Sequence, residues 1–300
     1  MKSWLYIVLA FLGGVSFGVP SSFVKLAYQN GFDTADVVGA QFFFGASILW
    51  LISIFRMKTR TSLKTIGTLL LAGTPMTFTT LMYYQSLNYL DASIAIIILF
   101  QFTWMGVLGE WLIDKVRPTR GKIISIILLL IGSLLAVNIT DTPLHTIPLQ
   151  GIVWGLLAAV SFTVFIFVSG RVSIQTPPFK KSVFMATGAF IVSLCIYPPL
   201  FLVNGSMTGD FFIWGLIYGL FGVALPPLLF SISLPHMGSG LGTILSASEL
   251  PTSVFLSMVI LREHVSWIQW SGTVVILFGI VLPSLLAAYT TNKYKSRLST

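Results

Sequence analysis

The stretch FFIWGLIYGLFGVALPPLLFSISLPHMGSGLGTILSASEL, residues 211–250, carries a single charged side chain, Glu249. A helix crossing the hydrocarbon core of a bilayer needs about 20 mostly apolar residues, so this stretch is long enough to cross twice. Its natural break is the cluster Pro235, His236, Gly238, Ser239 and Gly240, residue types that favour turns. Reading it as two helices fixes the parity of the whole chain. Charges punctuate the remaining sequence too, and the uncharged runs between them place helices near 4–26, 35–55, 66–88, 92–112, 120–138, 151–172, 182–203, 211–234, 240–262 and 267–289. The expected fold is an all-α membrane protein with ten transmembrane helices.

Composition points the same way. Apolar residues make up 55% of the 300 residues and charged residues 9%. Soluble domains carry roughly 25% charged residues, so the solvent for most of this surface must be lipid. The net charge of +8 does not imply nucleic acid, because the basic residues sit in short clusters between apolar runs. That is the pattern of loops facing an anionic leaflet, and membrane lipids are the expected partners. The single cysteine, Cys195, excludes an internal disulfide and reads as a small buried apolar residue. His145, His236 and His264 lie in separate loops or helix ends, without metal-ligand or nucleophile–base spacing. No glycine-rich stretch matches a phosphate-cradling loop. Neither a cofactor nor a metal is expected, and the chain does not read as an enzyme. The first run, with Lys2 before it and small residues at Gly18–Ser22, has elements of a cleaved signal peptide. It is longer than the usual apolar core of about 7–15 residues, and it reads as a span.

Lys and Arg orient the helices. With the N-terminus inside, inner segments hold Lys2; Arg56, Lys58, Arg60 and Lys64; Lys115, Arg117, Arg120 and Lys122; Arg171, Lys180 and Lys181; and Lys293, Lys295 and Arg297. Outer segments hold Lys25 and Arg262. Cytoplasmic loops carry the basic excess, so an even number of spans with both termini in the cytoplasm is expected. The location is the cell (plasma) membrane, multi-pass.

The chain also repeats. Val15-Ser16-Phe17, after Gly13-Gly14, recurs as Val160-Ser161-Phe162 after Ala158-Ala159. Asp91-Ala92-Ser93 opens the fourth run as Gly238-Ser239-Gly240 opens the ninth, and these runs end at Gly109-Glu110 and Arg262-Glu263. Five helices per half is an odd number, so the second half enters from the opposite face. The expected organisation is two inverted five-helix repeats, 1–140 and 148–291, with a basic cytoplasmic tail at 292–300. Transporters built this way place the site near the midplane between the halves.

The glycine-rich first run, the stretch Glu110–Val137, and Ser248-Glu249-Leu250-Pro251 through Glu263 resemble the EamA-type proteins of the drug/metabolite transporter superfamily, over nearly the whole chain. The resemblance implies ten helices from two EamA-type units and movement of metabolites or drugs, usually outward. The sequence departs from the family pattern at Gln101, where the family often has proline. The family's acidic residue after the fourth helix corresponds to Glu110 or Asp114, neither at quite the family spacing from Gly121.

Glu249 is the sharpest candidate. It lies ten residues past Ser239, about 15 Å into the membrane at 1.5 Å per residue, where a charge costs roughly 2.5–3.5 kcal/mol on insertion scales. Protonation is the simplest relief. A carboxyl group whose proton responds to an aqueous cavity can couple proton movement to transport and can bind substrate. The alternative is a neutral acid hydrogen-bonded to Ser246, Ser248 or another helix. Gln101, ten residues past Asp91, has the matching depth and is expected to face Glu249 as a substrate-binding amide, with an interhelical hydrogen bond as the alternative. Tyr83, Tyr84 and Trp104, with Phe100 and Phe102 nearby in sequence, are candidates for an aromatic substrate pocket or for packing. Lys25 reads as a substrate-binding attractor for a carboxylate or as a snorkelling anchor. Glu110 and Asp114, four apart beside Lys115 and Arg117, form a cytoplasmic charge cluster and candidate inner gate. Glu263 beside Arg262 is the outer counterpart. Pro20, Pro75, Pro226-Pro227 and Pro251 interrupt helices where kinks or rocking points are expected.

These readings point to a secondary transporter working by alternating access, an exporter of small metabolites such as amino acids or related amphipathic compounds, proton-coupled or facilitative. It acts as a monomer or homodimer on a small-molecule substrate. The alternatives are an integral membrane enzyme acting on lipids, disfavoured by the scatter of acids and histidines, and a non-transporting membrane sensor.

Overall fold

The structure, a computed structural model, describes residues 3–56, 61–90, 92–137, 148–197, 200–202 and 209–298. Lys2, Lys58, Arg60, Asp91 and His145 lie outside the described residues, as do the side chains of Arg56, Ser93, Lys293, Lys295 and Arg297. Among the described residues every regular element is helical. In chain order they are α1 (Ser3–Gln29), α2 (Thr34–Arg56), α3 (Leu63–Leu87), α4 (Ala92–Leu99), α5 (Phe102–Asp114), α6 (Arg120–Val137), α7 (Leu149–Arg171), α8 (Pro178–Ile196) and α9 (Asp210–Ile217). A π-helical segment (Tyr218–Ala224) follows, then α10 (Leu225–Met237), α11 (Ser239–Ser246), α12 (Glu249–Ile260) and α13 (Trp267–Leu298). Among the described residues, seven stretches are long and apolar enough to cross a bilayer, with α4–α5, α9–α10 and α11–α12 each forming one of them. Large apolar side chains such as Ile54, Leu71 and Val274 point outward from the bundle, which is stable only against lipid.

Two runs expected as single helices are each broken at mid-length. At the α4–α5 junction the Gln101 N–H bonds Ile98 O at 3.2 Å and the Thr103 N–H bonds Phe100 O at 3.1 Å, both three-residue steps. The bypassed carbonyl of Ile97 accepts instead from Gln101 Nε2 at 3.0 Å. At the α11–α12 junction the cause is Pro251, which has no N–H for Ala247 O. The Leu250 N–H takes that oxygen at 3.3 Å. The two breaks correspond along the chain. Gln101 and Ser248 open α5 and α12, Lys115 (φ 59°) and Arg262 (φ 55°) follow those helices in left-handed conformation, and Arg120 and Trp267 begin α6 and α13. All three pairs are separated by the same number of residues.

The run expected as a helix over 211–234 is also composite. Pro226 and Pro227 offer no N–H to the turn before them, and the backbone relaxes into the π-helical segment. Pro235 stays within α10, and the turn is made at Gly238, whose φ of 84° suits glycine. Helix α8 starts earlier than expected, behind Pro177 with Pro178 in its first turn. Lys180 and Lys181 are therefore not loop charges but buried residues of that helix. The Lys181 ammonium donates to Ser169 O at 2.7 Å, at the C-terminal end of α7, where the helix dipole favours a cation. Cys195, expected to be buried, is exposed in the last turn of α8; an outward-facing thiol is tolerated beside lipid because it behaves as a small hydrophobe.

Helix α3 packs on α7 and α8, α1 on α10 and α12, α2 on the π-helical segment and α8, α5 on α11, and α6 on α13. The α3–α8 crossing is a backbone contact. A Cβ at Gly73 would collide with the Met185 backbone, and one at Gly188 with the Leu70 backbone. In lipid such approaches replace the missing hydrophobic drive between helices. Gly73→Ala is expected to destabilise the protein by about 1–3 kcal/mol, the usual cost of overpacking. Gly67→Ala, where a Cβ meets nothing within 4 Å on the same helix, is expected to stabilise it by roughly 0.5–1 kcal/mol. Thermal unfolding in detergent distinguishes the two.

Candidate functional site

The site begins at the α1–α12 contact. A Cβ on Gly18 would stand 2.7 Å from Thr252 Cβ and 2.5 Å from the carbonyl oxygen of Glu249, so only glycine lets the helices meet here. Hydroxyls pin the contact: Ser248 Oγ donates to Phe11 O at 2.8 Å, and Ser21 Oγ to Gly18 O at 2.8 Å, with Ser253 Oγ 3.1 Å away. This places the Glu249 side chain on a cavity of about 740 Å³, a volume typical of small-molecule sites. Helix α1 forms one wall with Phe17, Pro20, Ser21 and Lys25, and α3 another with Met76, Thr79, Thr80, Tyr83 and Tyr84. Gln41 of α2 and Gly222 of the π-helical segment close a third, and α12 continues with Ser253 and Ser257 toward Glu263. At the closed end Phe17 packs edge-on against Phe162 (5.4 Å between ring centroids), and Phe162 against Phe102 (4.6 Å). At the mouth Lys25 and Glu263 form an ion pair.

The opposite end of the bundle is tied shut. Glu110 is buried and pairs with Lys122. Its carboxylate also lies over the start of α11, where a Cβ on Gly240 would be 3.0 Å from Glu110 Cδ. A helix N-terminus carries partial positive charge, so this carboxylate sits between two favourable fields. Asp114 pairs with Arg171, whose guanidinium lies 4.1 Å from the Phe167 ring centroid. Tyr6 stacks on His236 at 3.9 Å and joins α1 to α10.

Of the residues singled out from sequence, Glu249, Tyr83, Tyr84, Lys25 and Glu263 border the cavity. Gln101 and Trp104 are not among its lining residues. The Trp104 indole donates to Gln101 Oε1 at 2.8 Å, and the Gln101 amide caps its own helix break. The expected meeting of Gln101 with Glu249 does not occur, because the break consumes the amide. Glu110 and Asp114 lie together at the closed end, each with a partner on another element. Sequence reading missed Gln41, although a lone amide in an apolar run carries the same signal as Gln101. It also missed the adjacent Thr79 and Thr80 on α3, and Ser253 and Ser257, one helical turn apart on α12.

The sequence pattern of the EamA-like transporter family matches residues 4–138 and 149–285. The chain belongs to the EamA-like transporter family. This EamA-like protein is thus a multi-pass membrane protein, and its two matched segments correspond to α1–α6 and α7–α13. Solute carrier family 35 member F5 of Bos taurus is 24% identical over 184 residues, covering 58% of this chain and 34% of that protein. The Macaca fascicularis protein of the same name is 24% identical over the same length, covering 42% of itself. The match spans less than half the length of these relatives. A solved structure described as "Crystal structure of protein" superposes with a TM-score of 0.75 at 15% identity, over 93% of this EamA-like chain and 99% of that chain, a likeness of fold.

The two ends differ in what their ion pairs contribute. Side-chain exposure is 14% and 7% for Lys122 and Glu110, against 52% and 38% for Lys25 and Glu263. Lys122→Met strands a buried carboxylate and is expected to cost about 3–5 kcal/mol. Lys25→Met is expected to change stability by no more than about 1 kcal/mol. Thermal denaturation in detergent measures both, and adding Glu110→Gln to Lys122→Met is expected to recover part of the loss.

Proposed function

We propose that this protein is a secondary transporter working by alternating access, an exporter of small amphipathic metabolites such as amino acids or related compounds, with Glu249 as the proton-coupling carboxyl. The observation that carries the proposal is the 740 Å³ cavity with Glu249 on its wall, at the end of the bundle opposite the Glu110–Lys122 and Asp114–Arg171 pairs. An opening on one side and closure on the other is what one state of such a cycle requires. Relatives named solute carriers support the assignment to transport.

In this reading the ten spans form two inverted five-helix repeats, with both termini on the cytoplasmic side of the cell membrane. The basic residues concentrated at one face support that orientation, and the corresponding breaks and left-handed residues in α4–α6 and α11–α13 support the repeat. The cavity then faces outward, and the inner gate is made by Glu110 and Asp114 with their basic partners. Inward opening separates those pairs, while Lys25 and Glu263 lie where the outer mouth narrows. Glu249 is hydrated through the cavity in the outward-facing state and exchanges its proton there.

The test is flux in liposomes. Wild type and Glu249→Gln are reconstituted, a proton gradient is imposed, and a panel of labelled aromatic and aliphatic amino acids and their decarboxylated amines is followed. Wild type is expected to accumulate at least one member against its gradient, and Glu249→Gln to fall to the passive level. Equal accumulation by both proteins removes proton coupling from Glu249, and no flux of any member by wild type counts against transport of this substrate class.

A further inference from the structure

The charges on the cavity do not balance. Lys25, Glu249 and Glu263 are its acidic and basic residues among the described ones. Lys25 and Glu263 neutralise each other, which leaves Glu249 without a cationic partner among the described residues. A carboxylate removed from bulk water demands a proton or a cation.

Five hydroxyls on the cavity wall spend their protons on backbone carbonyls, while Ser22, Gln41, Gln269, Tyr83 and Tyr84 also bring N–H or O–H donors. Thr79 and Thr80 donate their hydroxyl protons to Pro75 O (2.8 Å) and Met76 O (3.2 Å) on their own helix. Ser257 donates to Val254 O at 3.0 Å, and Ser21 and Ser253 both direct theirs to Gly18 O. What these residues have left to offer a ligand is oxygen lone pairs. Gly222 adds a carbonyl that its helix cannot satisfy. An α-helical bond to it would come from Pro226 and a π-helical bond from Pro227, and neither residue has an N–H. The preceding carbonyl, Phe221 O, is rescued by Ser16 Oγ at 2.8 Å; no side chain among the described ones donates to that of Gly222. Gln41 packs directly on this glycine, its Nε2 2.9 Å from where a Cβ would stand, and its side-chain amide makes no hydrogen bond among the described residues.

A site with one unpaired carboxylate, hydroxyl oxygens whose protons are already engaged, and the rings of Tyr83 and Tyr84 is complementary to a cation with N–H donors. We propose that the cavity selects an organic ammonium, a protonated primary amine on an aromatic or apolar body, with its charge on Glu249 and its remaining N–H groups on Gln41 and neighbouring acceptors. This rests on the transporter reading and narrows its substrate from amphipathic metabolites in general. An amino acid is disfavoured against its own amine, because its carboxylate would have to compete with Glu263 for Lys25. The ammonium requires Glu249 ionised, so a proton bound there leaves to the aqueous cavity as the amine arrives. One carboxylate holding either a proton or an amine makes the two exchange.

Four probes of one shape and different charge test this: 2-phenylethylamine, phenylalanine, 3-phenylpropionate and 2-phenylethanol. Each is titrated at millimolar concentration into the purified full-length protein at neutral pH, with the midpoint of thermal unfolding as the readout, since a ligand of the folded state raises it. The amine is expected to raise the midpoint and the other three to leave it within error. Glu249→Gln is expected to abolish the shift, Glu249→Asp to retain the preference for the amine, and Gln41→Leu to weaken amine binding by roughly tenfold or more. Unchanged midpoints of the unliganded variants show that they fold. An equal shift from the carboxylate or the alcohol, a shift that survives Glu249→Gln, or no shift from the amine each overturns the proposal. Gradient-driven flux of a compound that is not an amine would overturn it too while leaving the transporter reading intact.

Discussion

Hydrocarbon supplies no hydrogen-bond donors, so every carbonyl that loses its helical partner inside the membrane must find another within the protein. Most of this structure can be read as a response to that constraint. Regular helices meet it by themselves. The irregular positions are met by short side chains from neighbouring turns or helices: Gln101 serves Ile97 O, Ser16 serves Phe221 O, and Thr74 serves Leu71 O, which Pro75 leaves without an N–H, at 2.9 Å. The Ser16 bond joins different helices, as do those that Ser161 and Ser248 donate to the carbonyls of Pro75 and Phe11, so hydroxyl-to-backbone bonds also fix how helices sit against each other. Glycine makes the geometry possible, because a hydroxyl reaches a neighbouring backbone only where helices approach closely, as at Gly14 and Gly18 on α1.

The same constraint explains where the bundle can hold charge. Glu110 and Lys122 are tolerated in a buried position because each has the other and α11 adds its N-terminal field. Arg171 combines a carboxylate partner with an aromatic face. At the other end, Lys25 and Glu263 remain half in solvent and need little from one another. Glu249 lies between these regimes. It is too deep for full hydration and has no counter-charge among the described residues, and the cavity makes it tolerable. A cavity in this position is therefore part of the solution to placing that residue, and the residue is the clearest chemical demand the cavity makes on a ligand.

Much of this was legible in the sequence because depth is a count. Runs of apolar residues between charges mark the helices, and the carboxyl singled out within such a run, Glu249, lies on the cavity. Azimuth is not a count. Gln101 serves its own helix, because which face of a helix meets a cavity depends on neighbours that only the fold supplies. The breaks at 100–101 and 247–248 were hidden by continuous apolar character, though Pro251 marks the second. Pro226-Pro227 announced an interruption but not that it would widen into a π-helical segment beside Gln41. Lys180 and Lys181 read from sequence as loop charges because charge normally ends a span; the proline pair at 177–178 is the signal that a helix begins before them.

The Glu110 pair and Glu249 are joined along the chain by one short element. Helix α11, Ser239–Ser246, is about 12 Å long at 1.5 Å per residue. Its N-terminus lies under the Glu110 carboxylate, and its C-terminus runs through the Ala247–Ser248 turn directly into Glu249. That turn is held by three-residue bonds, of which Leu250 N–H to Ala247 O takes the place of the bond Pro251 cannot donate. On one side of it α12 is anchored to α1 by Ser248, Ser253 and the glycine contact. On the other, α11 packs on α5, where Thr243 meets Gly106 and also donates to Thr103 O at 3.3 Å. A displacement of α12 caused by occupancy at Glu249 must therefore be absorbed in the turn or pass into α11 as movement of the helix end that holds Glu110. Both neighbours of the turn are packed through glycine and hydroxyl contacts, so the turn and α11 are the covalent link between the cavity and the Glu110–Lys122 pair.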